Sequence, residues 1–325
     1  MSKHNFKWFF VSFFVLFFAV RPAFSQDNAP APAASLFSGS LDVIAGVFLG
    51  GMKEYVYQGD KKITQIDWDE YGVPYLNLAG KFAWNNLFVS LDLLTSAPVK
   101  SGTTRDTDWD LSGTKTQYGE HDSYFDKHLE VLGRIGYDFS VGGKWTLSPS
   151  AGFLLRNRQW TAADGYVQYP YYGEEFSDSL PHQKVSDTVI TYEELVWFPQ
   201  ISLDTVFAPT EWLSFKLKAS YYPYVHVETI DCHFMYLRQY FDIMQGMGGL
   251  VELSVAYSPP RLAGISFSIS GGYELIRTKK GETSEGVLGL DNLGLVRDTG
   301  YSSMSASDLG WITLGVNLYP EIIWR

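Results

Sequence analysis

Leu213-Ser214-Phe215-Lys216-Leu217-Lys218-Ala219-Ser220-Tyr221-Tyr222 is the stretch that decides the fold. Leu213, Phe215, Leu217, Ala219 and Tyr221 alternate with Ser214, Lys216, Lys218 and Ser220. Successive side chains of a strand point to opposite faces, so the segment has one apolar face and one face carrying two lysines. A soluble sandwich would have to expose the first or bury the second, whereas a wall between lipid and a wet lumen accepts both. The same period recurs in Val251-Glu252-Leu253-Ser254-Val255, in Ile265-Ser266-Phe267-Ser268-Ile269 and in Leu129-Glu130-Val131 through Phe139.

Working outward, the alternation predicts ten strands, over 40–57, 62–84, 87–98, 126–140, 144–162, 187–207, 211–228, 239–257, 262–278 and 305–320. An even count is what a bacterial single-chain barrel requires. Several of these runs exceed the ~9–11 residues that cross a bilayer, so the barrel should protrude beyond the lipid. Short connections at Asn85–Asn86, Val141–Gly143, Ala208–Thr210 and Ser258–Arg261 alternate with long ones at 99–125, 163–186, 229–238 and 279–304. Short inner turns and long outer loops are the pattern of outer-membrane barrels. The expected architecture is all-β: a ten-stranded antiparallel transmembrane barrel from 40 to 325, without a second domain.

Composition agrees. The 325 residues include 21 Tyr, 22 Phe and 10 Trp, the content expected of aromatic girdles. Residues 1–25 read as an export signal: Lys3 and Lys7, the apolar run Phe9–Val20, then Ala23 and Ser25 before a cut at Gln26. An uncleaved anchor is the other reading, but the run is short of the about 20 residues a spanning helix needs. Residues 26–39, Ala- and Pro-rich at first, read as a disordered lead-in. Loss of Lys3, Lys7 and Arg21, with no acid, takes the formal charge from −11 to −14. That excludes nucleic acid as a natural partner and suits cationic substrates. The single cysteine, Cys232, rules out an internal disulfide framework. The chain finishes Trp324–Arg325 after a strand ending near Pro320, a tail with no evident physical role.

Three weak signals fall at the outer end. Asp106 and Asp108 stand at i and i+2, on one side of an extended segment. Two neighbouring carboxylates push each other's titration apart and tend to hold one proton. Two unrelated acids on a solvated loop, or a calcium site, would give the same pattern. Asp231 and His233 repeat the spacing; a carboxylate beside an imidazole fixes its tautomer and raises its basicity. An accidental neighbour would also fit, and Cys232 between them should point the other way. Glu54 shares the parity of Asp42, Gly46 and Gly50, which places it on the lumen face near the rim. There it is either a partner for a cationic side chain or one of the polar residues any wet lumen needs.

Taken together, Lys53-Glu54-Tyr55-Val56-Tyr57, Gln65-Ile66-Asp67-Trp68, Ser101-Gly102, Asp106-Thr107-Asp108-Trp109, His121 and Asp231-Cys232-His233 resemble the omptin family in order and spacing. The resemblance covers nearly all of the exported chain, though the loops match poorly. It implies an aspartic-type endopeptidase of the outer membrane, cutting beside basic residues, with its active groups facing the cell exterior. By that resemblance Asp106 and Asp108 are paired aspartates, and Asp231 and His233 form a dyad with His233 as general base on a water. Glu54 lies in the pocket for the basic side chain. It further implies polypeptide substrates with basic residues, a monomer, no metal or organic cofactor, and a requirement for lipopolysaccharide, for whose phosphates Arg156 and Arg158 are candidates.

The chain departs from the family where a second pocket acid stands two residues before the dyad aspartate; here that residue is Thr229. An acid beyond the cut is also missing, with Gln117 or Tyr118 near its place and Glu120 as a substitute. Strand parity is even up to Tyr222 but odd at Asp231 and His233, so a bulge near Pro223 is expected. A non-catalytic barrel, adhesin or structural, is the alternative function. A small pore is weaker, because ten strands and this aromatic content leave little open lumen.

Overall fold

A computed structural model describes residues 37–171, 174–262, 264–288 and 297–318. The expected export signal at 1–25, nearly all of the 26–39 lead-in and the Trp324–Arg325 tail lie outside the described residues. The strands are β1 (Phe37–Gln58), β2 (Lys61–Trp84), β3 (Leu87–Ser96), β4 (Val99–Trp109), β5 (Lys115–Tyr137), β6 (Phe139–Val141), β7 (Trp145–Gln168), β8 (Gln183–Lys184), β9 (Thr188–Thr210), β10 (Leu213–His233), β11 (Arg238–Tyr257), β12 (Ile265–Thr278), β13 (Glu282–Val287), β14 (Arg297–Asp298) and β15 (Tyr301–Leu318). β3 runs on into β4, β5 into β6, and β12 into β13, so the wall has ten staves, with β8 and β14 as short ribbons in outer loops. All pairings are antiparallel, and β1 against β15 closes the ring.

Each stave is apolar outward and polar inward across the lipid. On β10, Phe215, Leu217 and Tyr221 are exposed, while Lys216 faces Asp204 across the lumen surface at 2.9 Å. Aromatic pairs gather at the short-turn end: Phe37 on Phe82, Tyr137 on Phe139, Trp145 on Phe207 and Trp212 on Tyr257. They form the girdle on that side of the bilayer. Beyond the lipid the staves continue: β2 and β7 have 24 residues each, about twice what the membrane needs.

Two expectations about loops are corrected. The 99–125 segment is mostly hairpin, β4 against β5, because Asp110 organises a tight turn. Its Oδ1 accepts the backbone N–H of Ser112 (2.8 Å) and Thr114 (2.9 Å), with Gly113 at φ +90°. Asp231 and His233 likewise stand on a strand, since β10 runs to His233 and turns only over 234–237. β1 begins at Phe37, three residues before 40. The bulge expected near Pro223 is present: the register of β10 shifts between Tyr222 and Val225 against β11, and between Tyr221 and His226 against β9. That shift brings odd-numbered residues inward above it.

The lumen is packed below the rim, and nearer the short-turn end it keeps a cavity of about 280 Å³ lined by Asp42, Asp92, Lys216 and Lys218 among others. Below the rim lies a packed layer that includes Trp68, Trp160 and Tyr192, with ring centroids 5.8–6.3 Å apart. Beside it is a lattice of buried ions. Arg158, 1% exposed, pairs with Glu194 at 2.6 Å and Glu70 at 3.6 Å. Arg156 pairs with Glu130 and Glu274, both at 2.6 Å. Neither arginine is therefore available to lipid phosphates, contrary to the expectation from the sequence: each is the cation of a lumen network. Replacing Arg158 by Met should strand Glu70 and Glu194 and cost about 3–5 kcal/mol of stability. Thermal unfolding of the refolded barrel in detergent without lipopolysaccharide checks this; an unchanged midpoint would deny the network its role.

Candidate active site

Above the aromatic layer, beyond the lipid-facing band, five carboxylates and one imidazole line a single cavity of about 150 Å³: Glu54, Asp106, Asp108, Asp231, Asp242 and His233. No Lys or Arg is among the lining residues. Strand register sets the placement. Glu54 on β1 is opposite Ile66 on β2, and Ile66 opposite Asp106 on β4, so the three form one cross-strand row. Thr64 and Asp108 form the next row up, where Thr64 Oγ1 donates to Asp108 Oδ1 at 2.7 Å. On the other side, Asp231 of β10 is opposite Tyr240 of β11, and Thr229 is opposite Asp242.

The dyad is made. His233 Nε2 donates to Asp231 Oδ2 at 2.6 Å, which leaves Nδ1 for a proton from elsewhere. Tyr240 packs edge-on against the imidazole, with centroids 5.5 Å apart at 88°. Two-residue spacing on a strand thus does what the sequence suggested, and Cys232 takes the opposite parity. Glu54 is 2% exposed and on the lumen face, as its parity required.

Burial without counter-charge dominates the electrostatics. Asp106 is pushed up to about 8, first by desolvation and then by Asp108, so the pair holds a proton near neutrality. Asp108 is raised by burial and partly restored by Thr64 and His233. Glu54 is held well above the ordinary carboxylate range by burial, then by Asp231 and Asp242. Burial alone would lower His233, but the Asp231 charge and hydrogen bond, then Asp106 and Asp108, outweigh it and raise the imidazole to about 9. The two couples therefore sense each other across the barrel mouth. Glu54 Oε2, Asp106 Oδ1 and Asp231 Oδ1 are buried with no hydrogen-bond partner.

Several expectations need adjustment. Glu120 does not replace the missing acid; it lies on the outer face and accepts from Tyr118 Oη at 3.0 Å. Gln117 lines the cavity instead, and accepts from Tyr236 Oη at 3.2 Å. His121 is structural, buried with Nδ1 2.6 Å from the Asp164 carbonyl. Asp242 was missed, although a signal existed: counting back symmetrically about a turn at 234–237 pairs it with Thr229. Among the described residues, no group of three or more His, Cys, Asp or Glu side chains is arranged to hold a metal ion.

The omptin family model matches residues 37–309. The chain belongs to the omptin family. This omptin is accordingly an outer-membrane barrel and a protease. Its backbone is similar to that of the outer membrane protease OmpT from Escherichia coli, with a TM-score of 0.74 at 18% identity, covering 87% of this chain and 96% of that one. OprG from Pseudomonas aeruginosa aligns at a TM-score of 0.30 and 12% identity, over 86% of this chain and 95% of that one. The translocator domain of NalP from Neisseria meningitidis aligns at 0.33 and 10%, over 86% and 88%. A comparison with curated protein sequences finds no match.

Because Asp231 is the leading influence raising His233, Asp231→Asn should bring the imidazole titration well below 9. Ring-proton chemical shifts of His233 against pH read this directly. An unshifted titration would mean that the 2.6 Å contact is not what holds the proton.

Proposed function

We propose that this omptin hydrolyses polypeptides beside basic residues, using a water molecule held between Asp106/Asp108 and the Asp231–His233 dyad. The observation that carries the reading is that these four side chains, from strands on opposite sides of the ring, line one cavity. His233 Nδ1 takes a proton as the water oxygen adds to the peptide carbonyl carbon, and the carbonyl electron pair moves onto oxygen. The protonated member of the aspartate pair hydrogen-bonds that developing oxyanion. The tetrahedral species collapses by breaking the C–N bond, with the His233 proton passing to the leaving amine. Asp231 orients the imidazole and balances its charge.

In the empty site the carboxylates draw a proton onto His233, and an imidazolium is no base. A substrate cation docked near Glu54 would take over that compensation and lower the imidazole again, so the base is freed when a basic side chain is bound. A non-catalytic barrel would have no use for unpartnered carboxylates held out of water, whose burial costs several kcal/mol each unless something binds them.

The long hairpins carry the site, and short turns close the other end; this supports an active end facing the cell exterior. The family resemblance extends the proposal to lipopolysaccharide as a required lipid and to a monomeric enzyme.

Refolded protein supplied with lipopolysaccharide should cleave a quenched peptide carrying an Arg-Arg or Lys-Arg step. Asp106→Ala and His233→Ala should each lower the rate by about 10²–10⁴-fold while the barrel stays folded. Activity should rise with pH as His233 loses its proton, and the acid limb of kcat should lie below that of kcat/KM, because bound substrate lowers the imidazole. Undiminished cleavage by His233→Ala would dismiss the proposed base.

A further inference from the structure

The omptin resemblance puts a second pocket acid at 229, and this chain has Thr there. The structure supplies a carboxylate from the neighbouring strand. Thr229 is directly opposite Asp242 in the β10–β11 ladder, and Thr229 Oγ1 donates to Asp242 Oδ2 at 2.7 Å. Asp242 Oδ1 accepts from Ser303 Oγ of β15 at 2.8 Å, and Ser303 in turn hydrogen-bonds Thr283 of β13 at 2.8 Å. Asp242 is 1% exposed and lines the same cavity as Glu54. We propose that Asp242 and Glu54 together receive the basic side chain of the substrate, with Thr229 as the hydroxyl that positions Asp242. The inference rests on the peptidase reading and specifies its pocket.

Three further observations point to a cationic occupant. Glu54 Oε2 is buried in the cavity with no partner. No Lys or Arg lines the space, so His233 alone among the lining residues can offset five carboxylates. Burial raises both Glu54 and Asp242 above the ordinary carboxylate range; Asp231 pushes Glu54 further, while the hydroxyls of Thr229, Thr283 and Ser303 hold Asp242 back in part. A guanidinium, planar with five N–H donors, can meet carboxylates approaching from two strands at once. An ammonium meets the same pair as a point charge. Hydroxyls from three strands hold Asp242 in place, so its carboxylate is oriented before the substrate arrives.

Binding separates this inference from catalysis. N-acetyl-arginine amide and N-acetyl-citrulline amide, alike in shape but differing in charge, are titrated calorimetrically into the refolded full-length barrel. The wild type should bind the arginine amide more tightly. Asp242→Asn should weaken arginine binding by on the order of 10–100-fold and leave citrulline binding unchanged. The exchange variant Thr229→Asp/Asp242→Thr, which returns the acid to the resembled position, should recover the arginine preference even if Asp242→Asn folds poorly. Equal binding of the two amides by the wild type, or an arginine preference that survives in Asp242→Asn, would overturn the assignment. Arginine binding that depends on Asp242, without cleavage of any peptide, would support the pocket and fault the catalytic reading instead.

Discussion

Acid buried without base governs the outer end of this barrel. Lower in the lumen, buried carboxylates are set around guanidiniums: Glu70 and Glu194 around Arg158, Glu130 and Glu274 around Arg156. One layer up the matching stops. Glu54, Asp106, Asp108, Asp231 and Asp242 share a cavity with a single imidazole. The aromatic layer beneath removes the solvent that would screen them, so the site relieves its charge by holding protons on Asp106 and His233, at about 8 and about 9. A cationic ligand would relieve it as well, so the proposed chemistry and the proposed charge preference rest on one arrangement.

The barrel makes that arrangement possible without loops. Staves of 20 or more residues carry the polar inner face past the lipid, so the site is built on hydrogen-bonded strands whose register is fixed on both sides. The i, i+2 spacing puts Asp106 with Asp108, and Asp231 with His233, on the inner face by strand geometry alone. The bulge at Pro223 is equally necessary. Without it the inner parity of Lys216 and Lys218 would continue, turning Asp231 and His233 outward and Cys232 inward.

Much of this was legible in the sequence. Alternation at Leu213–Tyr221 gave lipid and lumen faces, and the parity conflict between Lys218 and Asp231 located the bulge. What was hidden depends on partners distant in sequence. Arg156 and Arg158 look like surface cations until Glu70, Glu194 and Glu274 are seen to enclose them from other staves. The 99–125 segment reads as a loop because its residues are polar on both faces, as suits a hairpin standing in water. Asp242 is hidden because it reaches the cavity from β11, and only the register that sets it opposite Thr229 brings it there.

The central claim is that the aspartate pair and the dyad face each other closely enough to share charge and a water molecule. The titration of His233 in the double variant Asp106→Asn/Asp108→Asn, followed by its ring-proton chemical shifts, tests that most directly. The site described here requires His233 to titrate lower than in the wild type, because two negative groups across the barrel mouth have been removed while the Asp231 contact remains. A midpoint identical to the wild type would place the two couples out of each other's reach and contradict the shared site.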